Sequence, residues 1–336
     1  MNITSTRRGV LILTLCTLVL GFGSSFARQS TNLSPNPQAL KQAMKRTVRS
    51  EKLSGMAYGP FREGQSPERG LYPTLDEVRQ DISLLKRVSN GIRTYGCRHL
   101  ETVVTASKEA SLNLALGAWL SGNPLEDQAE IDCAVNQAQL SPNIVSIVAG
   151  NESIFNNWLS VAKVCTYVQY LREHTNLPIT TAEPLHIWWD HTDLASCVDY
   201  LLVHIHPYWE CQSIENAVSS VQTRYDQIPS RYPDKRIVIG ETGWPSAGTG
   251  REEPCGPMPT PSPEEQSRFA CGFLEWSENE RVDHYFFEAF DEPWKCEDGR
   301  PQVECHWGIY YKDRTPKPPV RCFLPFWIWL PLTLNH

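Results

Sequence analysis

The chain alternates between short apolar runs and helical patterns, and eight apolar runs can be counted. Each run has the length and composition of a buried strand, and Gly, Asn or Pro near its end marks a turn. Strands that alternate with helices form a parallel sheet, and eight strands are the number that closes a TIM barrel. We therefore predict an α/β fold, a single-domain (β/α)8 TIM barrel that spans residues 53–320.

The predicted strands have clear limits in the sequence. They cover residues 53–61, 91–96, 113–121, 143–152, 177–185, 198–209, 237–239 and 283–290. The first helix is predicted to open at Thr74, because Glu77 three residues later completes a capping-box pattern.

Two of the predicted strands, the fourth and the seventh, run into a glutamate. Glu152 closes the run NIVSIVAGNE, and Glu241 follows the seventh strand within the string GETGWPS. Glycine stands shortly before each glutamate, which lets the backbone bend and another group approach closely. Chemistry in TIM barrels takes place at the C-terminal ends of the strands, so we expect both carboxylates at one rim. The alternative is that each carboxylate simply caps a strand at a wet surface.

The charge balance and the N-terminal segment bear on partners and location. With 31 Lys and Arg against 38 Asp and Glu, and without basic clusters, the chain is not typical of a nucleic-acid-binding protein. Residues 1–27 combine two arginines, a short apolar run and small residues near Ala27, which predicts a cleaved signal peptide; an uncleaved anchor is the alternative. Residues 28–52 predict a polar linker or N-terminal arm. We expect a monomer that is secreted or periplasmic.

Ten of the 11 cysteines follow the predicted signal peptide. None forms a C-x-x-C pair, so their spacing does not indicate a zinc site. An even number of cysteines in an exported protein predicts disulfides. Cys296 and Cys305 flank a short polar loop and are predicted to form one bridge, whereas the sequence leaves the other pairings open.

Three strings in the second half of the chain resemble one enzyme family. GETGWPS, YFFEAFDEPWK on the eighth predicted strand and HWGIY after it are similar to glycoside hydrolase family 17. This family of retaining clan A TIM barrels contains β-1,3-glucanases and related glucosyltransferases. The resemblance implies a hydrolase that cleaves β-1,3-glucosidic linkages without a cofactor, with Glu152 as acid/base and Glu241 as nucleophile. Such chemistry requires one carboxyl group with a raised pKa and one with a low pKa.

The resemblance also implies a set of substrate-binding residues. Asn151 would hydrogen-bond the sugar 2-hydroxyl, and the pair Glu292 and Lys295 would orient hydroxyl groups. The other candidates are aromatic side chains of the predicted rim: Tyr58, Tyr95, Tyr208, Trp244, Trp294 and Trp307. Burial in the core is the alternative for each aromatic residue. His204 and His206 alternate as metal ligands can, but no third ligand stands at an informative spacing, so we expect structural histidines and no metal.

The last residues, 321–336, form an apolar C-terminal tail that is too short and too rich in proline for a spanning helix. Packing on the barrel and contact with a membrane surface both stay open.

The expected partner is a β-glucan polysaccharide or oligosaccharide. Two alternatives to hydrolysis stay open: a transglucosylase that passes the glucosyl group to another sugar, and an inactive glucan-binding wall protein. The presence of both glutamates argues against the inactive protein.

Overall fold

Eight parallel strands close into a barrel in the order in which they follow one another along the chain. The computed structural model describes residues 52–250, 255–256, 261–297 and 299–323. It confirms the predicted (β/α)8 TIM barrel. The predicted signal peptide, nearly all of the predicted linker and residues 324–336 of the apolar tail lie outside the described residues. Within the described ranges, no helix has both the length and the apolar character needed to cross a membrane.

The strands are β1 (Gly55–Ala57), β2 (Gly91–Arg93), β3 (Asn113–Ala118), β4 (Ile144–Asn151), β5 (Ile179–Pro184), β6 (Tyr200–His204), β7 (Arg236–Thr242) and β8 (His284–Phe286). The helices are α1 (Leu75–Val88), α2 (Glu101–Glu109), α3 (Pro124–Leu140), α4 (Val161–His174), α5 (Leu185–Asp190), α6 (Thr192–Cys197), α7 (Ile214–Arg231), α8 (Pro263–Asn279) and α9 (Val320–Phe323). Two 3₁₀ turns, Pro293–Cys296 and Gln302–Cys305, follow β8.

Local capping motifs determine where two of the long helices begin. The backbone N–H of Thr74 donates to the Glu77 carboxylate at 2.8 Å, and the Thr74 hydroxyl accepts from the Glu77 N–H at 3.3 Å. This confirms the predicted capping box at α1. Ser262 and Glu265 form the same motif at α8. Since loss of such a cap costs about 1 kcal/mol, these motifs stabilise the helix starts between strands.

Several strands end earlier than their apolar patterns. β6 ends at His204 and β8 at Phe286, whereas the patterns continue to residues 209 and 290. The apolar residues beyond the strand ends, such as Tyr208 and Phe290, are buried beneath the loops. The pattern therefore reports burial rather than strand pairing. After β5 the chain also forms the short helices α5 and α6, which the sequence pattern did not indicate.

Buried apolar residues form two separate clusters. The larger one packs between the strands and the surrounding helices. The smaller one comes from β3 to β7 and lies inside the barrel, with the members Ala115, Val148, Ala182, Tyr200, Leu202 and Val238. Its members range from alanine to tyrosine, and side chains of different size fill the interior of an eight-stranded barrel. The polar groups of the site described below therefore stand at the end of a packed interior.

Five disulfides link the described residues. They are Cys97–Cys133, Cys165–Cys197, Cys211–Cys255, Cys271–Cys322 and Cys296–Cys305. The predicted Cys296–Cys305 bridge is confirmed. It joins the two 3₁₀ turns after β8 and so constrains the loop that follows this strand.

The fourth of these bridges bears on the start of the predicted tail, for which packing on the barrel was one of the open alternatives. Cys322 is bonded to Cys271 of α8, and Phe323 is buried with its ring 5.9 Å from that of Phe286. The segment 321–323 therefore packs as part of the barrel domain. The apolar pattern did not distinguish these residues from those that follow, because it carries no information about long-range contacts.

Candidate active site

Glu241 lies near the C-terminal end of β7 and is almost wholly buried. Its Oε1 atom is 3.2 Å from Arg93 Nη1, and its Oε2 atom is 3.1 Å from His206 Nε2. The neighbouring Gly240 is needed for the close packing here, since a Cβ atom would lie 3.0 Å from His204 Cδ2. The carboxylate is thus held in one position by nitrogen donors.

The surroundings of Glu241 keep it ionised. Burial alone would raise the pKa of this carboxyl, because burial disfavours the charged form. The charge of His204, the hydrogen bond from His206 and the charge of Arg93 outweigh burial and hold the pKa of Glu241 well below its usual range. For His206, burial lowers the pKa, but the hydrogen bond to Glu241 and the negative charges nearby raise it overall. An ionised and anchored carboxylate is suited to nucleophilic attack.

Glu152 follows β4 at the same rim but in a different environment. Its side chain is 25% exposed, against 7% for that of Glu241. The backbone at Glu152 is left-handed, with φ of 54°, and the preceding Gly150 has φ of 87°. The Glu152 N–H donates to the Ala182 carbonyl at 2.7 Å. The Glu152 carboxyl group is therefore partly exposed to solvent and lies on a turn at the same rim as the buried Glu241 carboxylate.

A single imidazole ring joins the two carboxyl groups. His204 Nδ1 lies 2.8 Å from Glu152 Oε1, and His204 Nε2 lies 3.5 Å from Glu241 Oε1. The ring is buried at the end of β6, where His204 pairs with Glu241 in the sheet register. The two glutamates that the sequence put at the ends of separate strands are therefore brought together across one side chain.

Arg93 is a residue of the site that the sequence analysis missed. It is fully buried on β2, and it donates to Asn151 Oδ1 as well as to Glu241. Asn151, a predicted substrate ligand, is thereby held next to Glu241. The signal was present in the string GIRTYG, because an arginine within a buried strand needs partners that satisfy its charge.

A second polar cluster lies in the loop after β8. Lys295 Nζ is 2.6 Å from both Glu288 Oε2 and Glu292 Oε2, and both carboxylates are buried. Burial lowers the pKa of Lys295, but the two negative charges raise it above its usual range. A Cβ atom at Gly59 would lie 2.2 Å from Glu292 Oε1, so only glycine fits there. The predicted pair Glu292 and Lys295 is in contact, and Glu288 is a third member that the sequence analysis missed.

Two of the predicted aromatic residues stand beside these polar groups. The Tyr95 ring lies 5.1 Å from the Arg93 guanidinium. Burial raises the pKa of Tyr95, and the charge of Glu241 raises it further. Trp294 donates from Nε1 to Glu292 Oε1 at 3.1 Å and is partly exposed.

Four other predicted aromatic residues are buried and require a correction. Trp307 is fully buried, and Tyr208 and Trp244 are nearly so, so none of them offers an open ring face to a sugar. Tyr58 is also buried, and its hydroxyl donates to Asp81 of α1 at 3.0 Å, away from the glutamates. The position of a residue near a strand end does not decide which way its ring points.

Some of these buried rings belong to a cluster that packs against His206, which contacts Glu241. The His206 ring packs edge-on against Trp307 and Phe287, with centroids 5.5 and 5.4 Å apart. Trp307 also packs against Tyr208, and Tyr208 against Trp244. This aromatic cluster holds His206 in the orientation that contacts Glu241.

Exposed aromatic rings occur elsewhere on the rim. Trp119 follows β3 and Trp158 lies in the loop after β4, with exposures of 38% and 40%. Their ring centroids are 5.5 Å apart. Neither residue was selected from the sequence as a site residue, although exposed tryptophans next to a site signal an interaction surface. Such rings can pack against the apolar face of a pyranose.

One group of side chains has the composition of a metal site. The ligand atoms of His204, His206 and Glu241 lie within 4.8 Å of one another. However, Arg93 Nη1 is 3.2 Å from both His204 Nε2 and Glu241 Oε1, which puts a fixed positive charge against any cation. The arrangement therefore favours a carboxylate held by hydrogen bonds over a metal centre.

Comparisons with known proteins agree with this geometry. Residues 55–308 match the family described as BtgE/BtgC glycoside hydrolase domain. The chain is 28% identical over 328 residues to the probable glucan endo-1,3-beta-glucosidase btgC of Aspergillus clavatus, which covers 85% of this chain and 46% of the relative. It is 27% identical over 268 residues to the glucan 1,3-beta-glucosidase of Arthroderma benhamiae, which covers 73% of this chain and 84% of the relative.

A solved structure shares the fold. It is that of a glycoside hydrolase family 17 beta-1,3-glucanosyltransferase from Rhizomucor miehei, with a TM-score of 0.70, 24% identity and coverage of 82% of this chain and 100% of the other. The chain spans about half the length of the Aspergillus btgC relatives that it matches. The family match extends over most of the described barrel and includes both Glu152 and Glu241. The chain therefore belongs to the BtgE/BtgC glycoside hydrolase domain family.

Proposed function

We propose that this protein is a retaining glycoside hydrolase of family 17 that cleaves β-1,3-glucosidic linkages in glucan. The observation that carries the proposal is the pair Glu152 and Glu241, which contact opposite nitrogens of the His204 ring. Membership of a glycoside hydrolase family supports the reaction class. The printed names of the relatives from Aspergillus clavatus and Arthroderma benhamiae support β-1,3-glucan as the substrate.

The first half of the reaction forms a glucosyl-enzyme. The Glu241 carboxylate attacks the anomeric carbon while Glu152 donates a proton to the glycosidic oxygen, and the bond to the leaving sugar breaks. Glu241 needs no base, because its neighbours keep it ionised. Arg93 and His206 hold its two oxygens, so that little reorganisation is needed on the way to the transition state.

The second half returns the enzyme to its starting state. Glu152, now a carboxylate, accepts a proton from a water molecule that attacks the anomeric carbon and displaces Glu241. The partial exposure of the Glu152 side chain gives water access to it, and the contact with His204 orients it. Two inversions at the same carbon leave the β configuration of the product unchanged.

Neighbouring side chains supply the proposed substrate contacts. Asn151 stands beside Glu241 through Arg93 and would bind the 2-hydroxyl group next to the reacting carbon. Lys295, which is the more exposed member of its ion pair, would orient hydroxyl groups of the bound sugar, and Glu292 would hold Lys295 in place. The exposed rings of Trp119 and Trp158 would pack against further glucose units of a longer chain.

The five disulfides support a location outside the reducing cytosol, and we propose an extracellular protein. The monomeric state, the signal peptide and a membrane contact of the tail remain predictions. The proposed reaction uses only carboxyl groups and water and needs no cofactor.

Product analysis on laminarin tests the proposal. We expect short glucose oligomers from the wild type and no change with the Glu241→Ala variant as the matched control. Products longer than the substrate would instead identify a transglucosylase. An unchanged but bound polysaccharide would identify a glucan-binding protein and refute the proposed catalysis.

A further inference from the structure

A third carboxyl group lies next to Glu152, and the proposed reaction does not use it. Glu183 stands near the end of β5 and is fully buried. Its Oε1 accepts from the backbone N–H of Ile154 at 2.9 Å, and its Oε2 accepts from the backbone N–H of Phe155 at 3.2 Å. Both donors belong to the turn that begins at Glu152. The carboxyl group therefore fastens this turn to the neighbouring strand.

The turn needs such a fastening because its first residue is conformationally unusual. Glu152 is not a glycine, yet its backbone is left-handed with φ of 54°. A residue other than glycine keeps this strained backbone conformation only where several surrounding contacts hold it in place. The Glu152 N–H is bound by the Ala182 carbonyl on one side, and the Ser153 hydroxyl donates to the Leu120 carbonyl on the other. Glu183 adds two further hydrogen bonds to this turn, which it accepts from the N–H groups of Ile154 and Phe155.

We propose that Glu183 is a positioning residue that sets the direction of the Glu152 side chain through the backbone of the turn. The inference rests on the proposed function, in which Glu152 protonates the leaving oxygen. Proton transfer requires the acid within hydrogen-bond reach of that oxygen, and a displacement of about 1 Å can cost about 100-fold in rate. A loosened turn would therefore impair protonation more than it impairs attack by Glu241, which is held by separate strands.

The chemical nature of Glu183 suits this role. Burial raises its pKa to about 7, while the N–H groups of Ile154 and Phe155 lower it and the charge of Glu152 raises it. Above about pH 7 the ionised group accepts one hydrogen bond on each oxygen without presenting a donor. A glutamine has the same shape, but its NH₂ group would face one of the two backbone N–H donors.

The test compares two substrates that differ in their need for an acid. Laminarihexaose has a poor leaving group, whereas 2,4-dinitrophenyl β-laminaribioside releases an activated phenol that needs little protonation. For Glu183→Gln we expect kcat/KM to fall about 10- to 100-fold on laminarihexaose and less than about threefold on the aryl substrate. The quantity kcat/KM is used because it reports the first, acid-dependent half of the reaction. Glu183→Asp keeps the charge but has a shorter side chain. It should also lower kcat/KM more on laminarihexaose than on the aryl substrate.

Asp199→Asn is the matched control. Asp199 accepts the Ile179 N–H at 2.6 Å at the opposite end of β5, so its variant also removes a carboxylate from a backbone donor. We expect this control to leave the ratio of the two kcat/KM values unchanged. Equal losses on both substrates for Glu183→Gln, or no loss, would overturn the inference. A wild type that cleaves neither substrate would refute the proposed function itself, which is a distinguishable result.

Discussion

Removal of each of the two proposed catalytic glutamates should have a different effect on activity. Glu152→Ala removes the acid, and general acid–base catalysis contributes about 10²- to 10⁴-fold, so about 2.7–5.4 kcal/mol of barrier lowering should be lost on glucan. On an activated aryl glucoside the first step should be nearly unaffected. Glu241→Ala removes the attacking atom, so the loss should be at least as large on both substrates.

The structure also predicts different effects on stability. Glu241 is buried against Arg93, which has no exposed surface, and removal of one partner of a buried ion pair costs about 3–5 kcal/mol. Arg93 keeps the Gly240 carbonyl and Asn151 as acceptors, so we expect the lower end of this range. Removal of the partly exposed Glu152 side chain should lower the free energy of unfolding by much less. Chemical denaturation of both variants measures this difference before the kinetics are interpreted.

Azide separates the two roles. In Glu152→Ala, azide can enter the space left by the missing base and attack the glucosyl-enzyme, which gives a β-glucosyl azide after two inversions. In Glu241→Ala, azide attacks the substrate directly and gives the α-azide. Proton NMR identifies each anomer and should also show initial β product from the wild type. An initial α product from the wild type would refute the two-step mechanism, and identical azides from both variants would show that the roles are assigned wrongly.

Three further predictions concern stability, pH and substrate length. Replacing Cys296 and Cys305 by serine opens a loop of 9 residues and should lower the free energy of unfolding by about 2.6 kcal/mol, measured by urea denaturation of the non-reduced proteins; an unchanged midpoint would contradict this. Because the folded pKa of Glu241 is depressed, its stabilisation is complete above the unfolded value of about 4.3 and is lost as the pH falls below it. The difference in unfolding free energy between wild type and Glu241→Gln should therefore shrink as the pH falls from about 4 to 2, below the range in which His206 titrates; a difference that grows over this range would refute the pKa argument. Trp158→Ala should raise KM for long laminarin oligosaccharides several-fold and leave KM for the shortest substrates unchanged, and an equal effect on all lengths would argue against a stacking role.

The sequence by itself determined the features that depend on local patterns. The period of the apolar runs predicted eight strands and hence the barrel, and Thr74 with Glu77 predicted the start of the first helix. The barrel rule then brought Glu152 and Glu241 to one rim, because all strands of a parallel barrel point the same way. Cys296 and Cys305 were paired correctly because they are close along the chain.

Only the tertiary structure decided what depends on contacts between distant segments. The pairing of Cys271 with Cys322 could not be read from spacing, since ten cysteines allow many connectivities. Trp307 and Trp119 are both tryptophans in segments that follow a strand, yet the first is fully buried and the second is exposed. Arg93 became a candidate site residue because it reaches from β2 across the barrel to Glu241 on β7, and Glu183 because β5 lies beside β4 and the Glu152 turn. Side-chain direction and partner choice arise from three-dimensional packing, which a one-dimensional pattern does not contain.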